Sequence, residues 1–250
     1  MGQGMLIKFK KMKRLSSFNR ISMKNLAIIP ARGGSKRLKN KNIKVFYGKP
    51  ILQRTFELIK KSNLFEKIIL TTDSPKIKSL GKKLGFDFII DRSNKLSKNK
   101  VKTIDVIKDA IKKYSKFEFE NICCVYPCNP LLKIDDIRKC LKLSEKNTKK
   151  IIFPVSEYSH PPERAFYLKG RKKKIKFINE RNANKTTQNF KKKYHDAGQF
   201  YCAKKLTWLK SNTIHNNSIG FEIPKYRTID IDDHHDWLKA KVLFKGLKYL

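Results

Sequence analysis

The chain is poor in acidic residues and has no long apolar run. Of its 250 residues only 21 are Asp or Glu, against 59 Lys or Arg, so the net charge is +38. No apolar stretch approaches the roughly 20 residues that a membrane-spanning helix needs, and we predict no membrane span. Hydrophobic residues nevertheless make up 40 % of the chain. That fraction is enough for a sizeable core and excludes wholesale disorder.

Arginine is scarce among the cations. Only 11 of the 59 basic residues are Arg, and the Lys residues are spread over almost every predicted helix. Arg is the preferred residue for forked contacts to bases and phosphates, so this composition predicts no specific nucleic-acid partner. The charge is instead expected to attract polyanionic substrates. A basic nucleic-acid-binding protein is the alternative of another class, and its binding would depend steeply on salt.

The cysteines form no recognisable framework. There are five, an odd number, and no CxxC pair occurs among positions 123, 124, 128, 140 and 202. This spacing excludes a zinc site of the usual kind and does not indicate disulfides. We therefore predict structural thiols in a reducing compartment and a cytoplasmic location.

The first 22 residues differ from the rest. They hold six basic and no acidic residues, and they lack the continuous apolar core and cleavage site of a secretory signal. We expect residues 1–22 to be a basic extension, either disordered or upstream of a natural start at Met23. The alternative is a basic tail that contacts an anionic partner. Residues 23–250 are predicted to form one domain.

Apolar strands and amphipathic helices alternate along this domain. Strands are predicted over 25–31, 67–73, 87–91, 121–127 and 150–156, and helices over 49–62, 75–85, 103–114 and 134–146. A last strand and helix follow within 226–247. This order predicts an α/β fold whose mostly parallel sheet is covered by helices on both faces. The irregular range 156–217 is predicted to be a small inserted lobe that acts as a lid or dimer contact.

The stretch LAIIPARGGSKRLKNKN, at 26–42, ends a predicted strand in a basic, glycine-containing loop. Gly33 and Gly34 would let the backbone approach a ligand and point N–H groups at it. The spacing fits neither GxxxxGK[ST] nor GxGxxG. Four cations can surround a triphosphate here, and a solvated basic turn is the alternative: Arg32, Lys36, Arg37 and Lys41. Ligands bind at the carboxyl ends of parallel strands, which also selects Asp73, Arg92 and Tyr126.

A second motif is IDIDDHHDW, which begins at Ile229. On a strand, Asp230 and Asp232 point to the same face and can both reach one Mg²⁺ or Mn²⁺, which commonly combines one or two carboxylates with substrate phosphates. The plainer interpretation is a strand end followed by Asp233 as the N-cap of a helix. The two interpretations are compatible, because Asp233 can cap the helix while Asp230 and Asp232 bind an ion.

These motifs and others occur in the order seen in a known enzyme family. IIPARGGSKRLKNKN, the strand ending in TTD, VYPCNPLL and IDIDDHHDW resemble the CMP-sialic acid synthetase family of cytidylyltransferases over residues 25 to about 240. YHDAGQFY, at 194–201, resembles the pseudaminic acid cytidylyltransferase branch. The resemblance implies a Rossmann-like fold of the nucleotide-diphospho-sugar transferase type. It also implies a homodimer.

The resemblance implies a role for each matching position. CTP and a nine-carbon 2-keto acid sugar would give a CMP-sugar and pyrophosphate, with Mg²⁺ on Asp230 and Asp232. The sugar would be pseudaminic acid, with sialic or legionaminic acid as alternatives. The implied catalytic residues are Arg32, Lys36, Lys41, Asp230 and Asp232. The implied nucleotide-binding residues are Ala31, Arg32, Gly33, Gly34, Ser35, Lys36, Lys41, Asn42, Asp73, Arg92, Ser97 and Tyr126. The implied sugar-binding residues are Tyr126, Tyr194, Asp196, Gln199 and Tyr201.

The chain departs from the family pattern at several positions. Lys39 and Ser93 stand where the family often has Pro, and Asn99 stands where it has Asp. Asn99 keeps hydrogen-bonding capacity and loses charge. A scaffold with a decayed site is therefore a further alternative, against which the retained Arg32 and Asp230 argue.

Overall fold

The computed structural model describes residues 25–115, 118–247 and residue 249. The predicted extension at 1–22 lies outside the described residues. Within them, no helix is both long and apolar enough to cross a membrane.

The core of the fold is a parallel sheet. The first strand, β1 (Asn25–Pro30), pairs in parallel with both β4 (Lys67–Thr72) and β6 (Asn121–Val125), and β4 pairs in parallel with β5 (Phe88–Asp91). These strands read as continuous apolar runs because both faces of the sheet are covered. Their parallel order brings the loops that follow them to one edge, as predicted.

The sheet continues on the other side of β6 with strands of mixed direction. There β11 (Phe200–Lys204) runs antiparallel between β6 and β7 (Ile151–Glu157). The short β10 (Tyr194–Asp196) is antiparallel to the end of β7, and β12 (Ser218–Glu222) is parallel to it. Strands β10 and β11 therefore belong to the main sheet, although they fall within the range 156–217 that was predicted to be an inserted lobe.

The part of that range that leaves the sheet is shorter. It contains a hairpin of β8 (Phe166–Lys169) and β9 (Lys174–Phe177) that forms its own two-stranded sheet. The sequence prediction missed the two sheet strands because β10 has only three residues, two of them polar, and the apolar run of β11 has only four. A lid or dimer role for the hairpin region stays a prediction.

Helices cover both faces of the sheet, as the alternating pattern predicted. One face packs against α1 (Ile51–Lys61), α2 (Pro75–Leu84) and α4 (Ile134–Lys146). The other packs against α3 (Thr103–Lys113) and the short α5 (Lys205–Lys210), which buries Trp208. Helix α2 begins at a Ser74 cap and ends at Gly85, whose φ of 76° is the left-handed conformation of a glycine C-cap.

A third apolar cluster lies beside the sheet's carboxyl edge. It joins α6 (His234–Gly246) to the hairpin of β2 (Val45–Phe46) and β3 (Lys49–Pro50), with Phe46 packed edge-on against Trp237. Asp233 caps α6 in a capping box with Asp236, which confirms the N-cap prediction. Ile229 and Ile231 are buried in this cluster.

The segment before α6 is not a strand, and that prediction was wrong. Residues 228–232 are extended but pair with no strand of the described chain. The alternation predicted for a strand still holds, because Ile229 and Ile231 point into the cluster while Asp230 and Asp232 are more exposed. An apolar cluster therefore orients the two carboxylates without help from a sheet.

Candidate active site

A cavity of about 640 Å³ opens at the carboxyl edge of the parallel strands. Residues from the loops after β1, β5 and β6 meet there with the segment before α6. Six cationic side chains and two carboxylates are among its lining residues: Arg32, Lys36, Arg37, Lys41, Arg92, Lys98, Asp230 and Asp232. The surplus of positive charge makes this cavity suited to a polyphosphate.

The loop after β1 is tied to its neighbours at both ends. Ala31 is buried and donates its N–H to the Thr71 carbonyl at 3.0 Å. The Asn42 side-chain amide donates to the Arg32 carbonyl at 2.9 Å, and Asn42 is itself buried. Ser35 and Lys36 between these ties line the cavity. The loop thus offers cations from a fixed backbone.

The two glycines of the loop have different reasons to be glycine. A Cβ on Gly33 would lie 2.8 Å from the Ser74 Cβ, so the close approach is to the chain itself. The Gly33 N–H is already donated to Asp73 Oδ1 at 2.8 Å, contrary to the expectation that it points at a ligand. A Cβ on Gly34 would meet nothing within 4 Å. Asp73 therefore anchors the loop and is not among the residues that line the cavity.

Arg92 forms part of the cavity wall from a buried position. It is only 8 % exposed, and it donates to the Thr71 carbonyl at 2.7 Å. Burial lowers the pKa of this guanidinium, and the Asp73 carboxylate works in the opposite direction. Ser97, predicted beside it, instead donates its hydroxyl to the Ser93 carbonyl at 3.0 Å, while Leu96, Lys98 and Asn99 line the cavity.

Asp230 and Asp232 share the mouth of the cavity but differ in their partners. Asp232 forms ion pairs with Arg37 and, at 3.5 Å, with Lys41. Asp230 has neither an ion pair nor a hydrogen bond within the described part of the chain. Although Asp230 is accessible to solvent, partial desolvation by the surrounding cavity raises its pKa, and the nearby Asp232 carboxylate raises it further. A cation bound between the two carboxylates would remove that repulsion.

These two residues fit a divalent magnesium-type ion. The unpartnered Asp230 carboxylate offers hard oxygen ligands. The Arg37–Asp232 ion pair is exposed, so Asp232 can exchange Arg37 for a metal ion at little cost in free energy. Among the described residues, no group of three or more His, Cys, Asp or Glu gathers as a complete metal site. A bound ion would thus complete its shell with phosphate oxygens and water, as Mg²⁺ commonly does.

Tyr126 lines the cavity and continues into a hydrogen-bonded network. Its hydroxyl lies 2.7 Å from Thr103 Oγ1, and its ring packs edge-on against Tyr201. The Tyr201 hydroxyl donates to Asp196 Oδ2 at 2.8 Å, and His215 Nε2 lies 2.8 Å from the same oxygen. Burial raises the pKa of both tyrosines, so both remain neutral.

The structure does not bring all predicted sugar-binding residues to the cavity. Tyr194 is exposed and donates to Glu222 Oε2 at 3.2 Å. Gln199 is buried, and its amide donates to the Arg227 carbonyl at 2.7 Å. Neither these two nor Asp196 and Tyr201 line the cavity, whereas Tyr126 and Gly198 do.

Sequence reasoning underestimated three cavity residues. Asn99, singled out only as a departure from the family pattern, accepts a 2.8 Å hydrogen bond from Arg32 Nη1. Thr103 was assigned only to a helix. Cys128 lies among Lys41 and the two aspartates, and burial raises the pKa of its thiol to about 12, so it stays protonated. The available signal was that Cys128 follows β6 closely and Thr103 begins α3, whereas Asn99 lies eight residues after β5 and gave no such signal.

A family comparison agrees with this geometry. Residues 26–234 match the family model described as Cytidylyltransferase. The chain belongs to the cytidylyltransferase family. It is therefore an enzyme of the nucleotidyltransferase type. The matched range runs from β1 to the start of α6, so it contains every element that borders the cavity.

Individual cytidylyltransferases resemble the chain over most of its length. The pseudaminic acid cytidylyltransferase of Campylobacter jejuni subsp. jejuni serotype O:2 is 34 % identical over 89 % of this chain and 97 % of its own. The N-acylneuraminate cytidylyltransferase of Escherichia coli O18:K1:H7 is 29 % identical over 86 % of this chain and 50 % of its own.

A solved structure supports the fold. The CMP:2-keto-3-deoxy-manno-octonic acid synthetase complexed with CTP superposes with a TM-score of 0.64. It covers 89 % of this chain and 99 % of the solved one at 16 % identity. The predicted fold, with a mostly parallel sheet between helices as in nucleotide-sugar transferases, is confirmed.

Proposed function

We propose that this cytidylyltransferase joins CTP and pseudaminic acid to give CMP-pseudaminic acid and pyrophosphate. The observation that carries the proposal is the cation-lined cavity with the Asp230–Asp232 pair at its mouth. The choice of sugar is supported by the Campylobacter jejuni relative named for pseudaminic acid, which aligns over nearly its whole length. Sialic and legionaminic acids are the alternative substrates.

The proposed reaction is a displacement at the α-phosphorus of CTP. The anomeric oxygen of the sugar bonds to the α-phosphorus, and the bond to the bridging oxygen of the β-phosphate breaks. The attacking hydroxyl loses its proton to solvent, and pyrophosphate leaves with the electron pair of the broken bond. Negative charge grows on the leaving group, so positioning and preorganised positive charge provide the acceleration.

The residues of the cavity have matching tasks in this proposal. Arg32, Lys36 and Lys41 bind the β- and γ-phosphates and offset the charge that develops on them. Asp230 and Asp232 would hold a Mg²⁺ or Mn²⁺ ion, which would supply charge stabilisation at the phosphate oxygens. The ring of Tyr126 borders the base or sugar and is held by Thr103.

The deciding experiment is pyrophosphate release from CTP and Mg²⁺ with three sugars in parallel. Release with pseudaminic acid alone is the expected result. Release with N-acetylneuraminic or legionaminic acid alone would reject the sugar and retain the reaction. Absence of release with all three, from folded protein, would reject the reaction and favour a decayed site.

The aspartate pair provides the matched variant. We expect Asp230→Ala to lose at least about 100-fold in turnover at saturating Mg²⁺, because it removes a ligand of the ion that would stabilise charge on the reacting phosphate. The fold should survive, since Asp230 has no partner within the described residues. Asp135→Ala, an exposed aspartate on α4, is the control and should leave turnover unchanged. Unchanged turnover of Asp230→Ala would contradict the assignment.

A further inference from the structure

The segment that carries the two aspartates has few backbone ties. Within the described residues, the N–H groups of Ile229, Asp230 and Ile231 donate to no other group, and the segment belongs to no sheet. An extended segment without a ladder of hydrogen bonds keeps its place only through side chains from other elements. The location of the carboxylates therefore depends on those side chains.

Besides the ion pairs of Asp232 and the burial of Ile229 and Ile231, three side-chain hydrogen bonds hold the main chain of this segment. At its start, Gln199 Nε2 donates to the Arg227 carbonyl at 2.7 Å. In its middle, Lys41 Nζ donates to the Ile231 carbonyl. At its end, Asp236 Oδ2 accepts the Asp232 N–H at 3.0 Å. Lys41 also belongs to the proposed phosphate site, and Asp236 also belongs to the capping box of α6. The Gln199 side chain has no second role of this kind.

Gln199 stands between the cavity wall and the aspartate segment. Its carbonyl accepts the Tyr126 N–H at 2.9 Å, and Tyr126 lines the cavity. Its side chain is 1 % exposed and points to Arg227, not into the cavity. Its Oε1 is buried and has no partner within the described residues. An unpaired buried oxygen is costly, so the donor at Nε2 is the group that explains a glutamine here.

Arg227 is held from its other side as well. Its guanidinium pairs with Asp136 of α4, and the two side chains are 8 % and 15 % exposed. Such a shielded pair fixes the side chain firmly, since losing one partner would leave a buried charge. The ion pair anchors the Arg227 side chain and Gln199 anchors its carbonyl, three residues before Asp230. Rotation of that peptide would move both carboxylates.

We propose that Gln199 is a positioning residue, which sets the location of Asp230 and Asp232 through the main chain of Arg227. This assignment replaces the sugar contact that the resemblance implied for Gln199. It rests on the proposed function for the role of the two aspartates. The hydrogen bond itself is independent of that function.

The first test measures hydrogen exchange without substrates. Gln199→Met keeps the side-chain length and removes the donor. Two amides of the segment are hydrogen-bonded and can report on it, since the Thr228 N–H donates to the Lys225 carbonyl and the Asp232 N–H to Asp236 Oδ2. We expect exchange of these two amides to accelerate about tenfold, the loss of one buried hydrogen bond, while β1 and β6 stay protected. Thr207→Val is the matched control, because it removes a side-chain hydrogen bond to the Thr148 carbonyl elsewhere. Unchanged exchange of the Thr228 and Asp232 amides in Gln199→Met would overturn the proposal.

A second variant guards against simple misfolding. In Gln199→Glu, burial raises the pKa of the introduced carboxyl group, and its protonated form can donate to the Arg227 carbonyl. Protection of the Thr228 and Asp232 amides should therefore approach the wild-type level as the pH falls, each comparison being made at equal pH. Equal loss of protection at every pH would contradict a role for the donor.

Kinetics separates positioning from a sugar contact. A positioning role predicts that Gln199→Met lowers kcat by about 10- to 100-fold and raises the Mg²⁺ concentration for half-maximal activity. The KM for the sugar should stay within about twofold. A rise confined to the sugar KM would overturn the proposal. If the wild type releases no pyrophosphate, the proposed function fails, and hydrogen exchange still decides whether Gln199 holds the segment.

Discussion

At the residue scale, neighbouring groups of the cavity differ because of their partners. Asp232 is paired with Arg37 and Lys41, whereas the partial desolvation of Asp230 and the charge of Asp232 raise the Asp230 pKa. The ionised form of Asp230 is therefore disfavoured in the folded protein. The direction of this pKa shift decides how the ionisation of Asp230 affects the stability of the folded protein.

The raised pKa predicts a pH dependence. A carboxyl group whose pKa is higher in the folded state binds its proton more tightly there, so stability falls as the pH rises from the unfolded pKa through the folded one. Asp230→Asn has no titrating carboxyl group at this position, so the variant lacks this pH dependence. The Tm of Asp230→Asn relative to wild type should therefore increase with pH over this window and be constant above it.

Thermal unfolding without divalent ions, from about pH 4 to about pH 7, measures this difference. Adding Mg²⁺ should raise the Tm of the wild type more than that of Asp230→Asn, because a ligand stabilises the state that binds it. A Tm difference that does not change with pH would contradict the shift.

The two loop glycines give a paired prediction. Gly33→Ala places a Cβ 2.8 Å from the Ser74 Cβ, and we expect it to cost about 1–3 kcal/mol of unfolding free energy and to raise the KM for CTP. Gly34→Ala meets nothing within 4 Å and should change stability by less than about 0.5 kcal/mol. Urea unfolding and CTP kinetics distinguish them. Equal effects would show that packing against Ser74 is not the constraint.

At the element scale, the loop after β5 closes over the loop after β1. Arg32 Nη1 donates to Asn99 Oδ1 at 2.8 Å, and Leu96 and Lys98 add to the same wall. Because Asn99 is neutral, it orients the guanidinium without cancelling its charge. The departure from Asp at this position is thus compatible with phosphate binding.

This contact predicts an effect on nucleotide binding. Asn99→Ala frees the Arg32 guanidinium, and we expect the KM for CTP to rise about three- to tenfold, the value of one partly exposed hydrogen bond to a charged group. Asn94→Ala, in the same loop and exposed, is the matched control. Initial rates at varied CTP measure both. An unchanged KM for CTP in Asn99→Ala would show that the Arg32–Asn99 hydrogen bond does not contribute to CTP binding.

At the scale of the whole molecule, the charge of +38 acts over a longer range than any contact. Positive charge over the surface accelerates the arrival of a polyanion and is screened by salt. The same charge gives unspecific attraction to nucleic acid. Catalysis on the polyanionic substrate requires Asp230, whereas unspecific attraction to nucleic acid does not.

The salt dependence follows from this difference. We expect kcat/KM for CTP to fall as salt rises, while kcat at saturating CTP changes little, because salt screens attraction and not the bound complex. Wild type and Asp230→Ala should bind a random DNA duplex with equal affinity, and both should release the duplex near physiological salt concentration. Measured duplex affinity that persists at that salt would favour the nucleic-acid alternative.

The parallel half of the fold was predictable element by element. Continuous apolar runs such as Leu26–Ile29, followed by helices with one apolar face, can be satisfied only by a sheet covered on both sides. The antiparallel strands β10 and β11 were not predictable in this way. They are short, and their places beside β7 and β6 depend on pairing with residues about 40 to 80 positions distant.

The sequence by itself determined the chemistry of the site: which loops follow buried strands, where the cations gather, and that two carboxylates alternate with Ile229 and Ile231. Those features are local, since they depend on neighbours within one element. Only the tertiary structure decided which side chains enter the cavity. It turned Gln199 to the Arg227 carbonyl and Asp73 to the Gly33 N–H, because a buried polar group takes whatever partner the packed chain brings within reach.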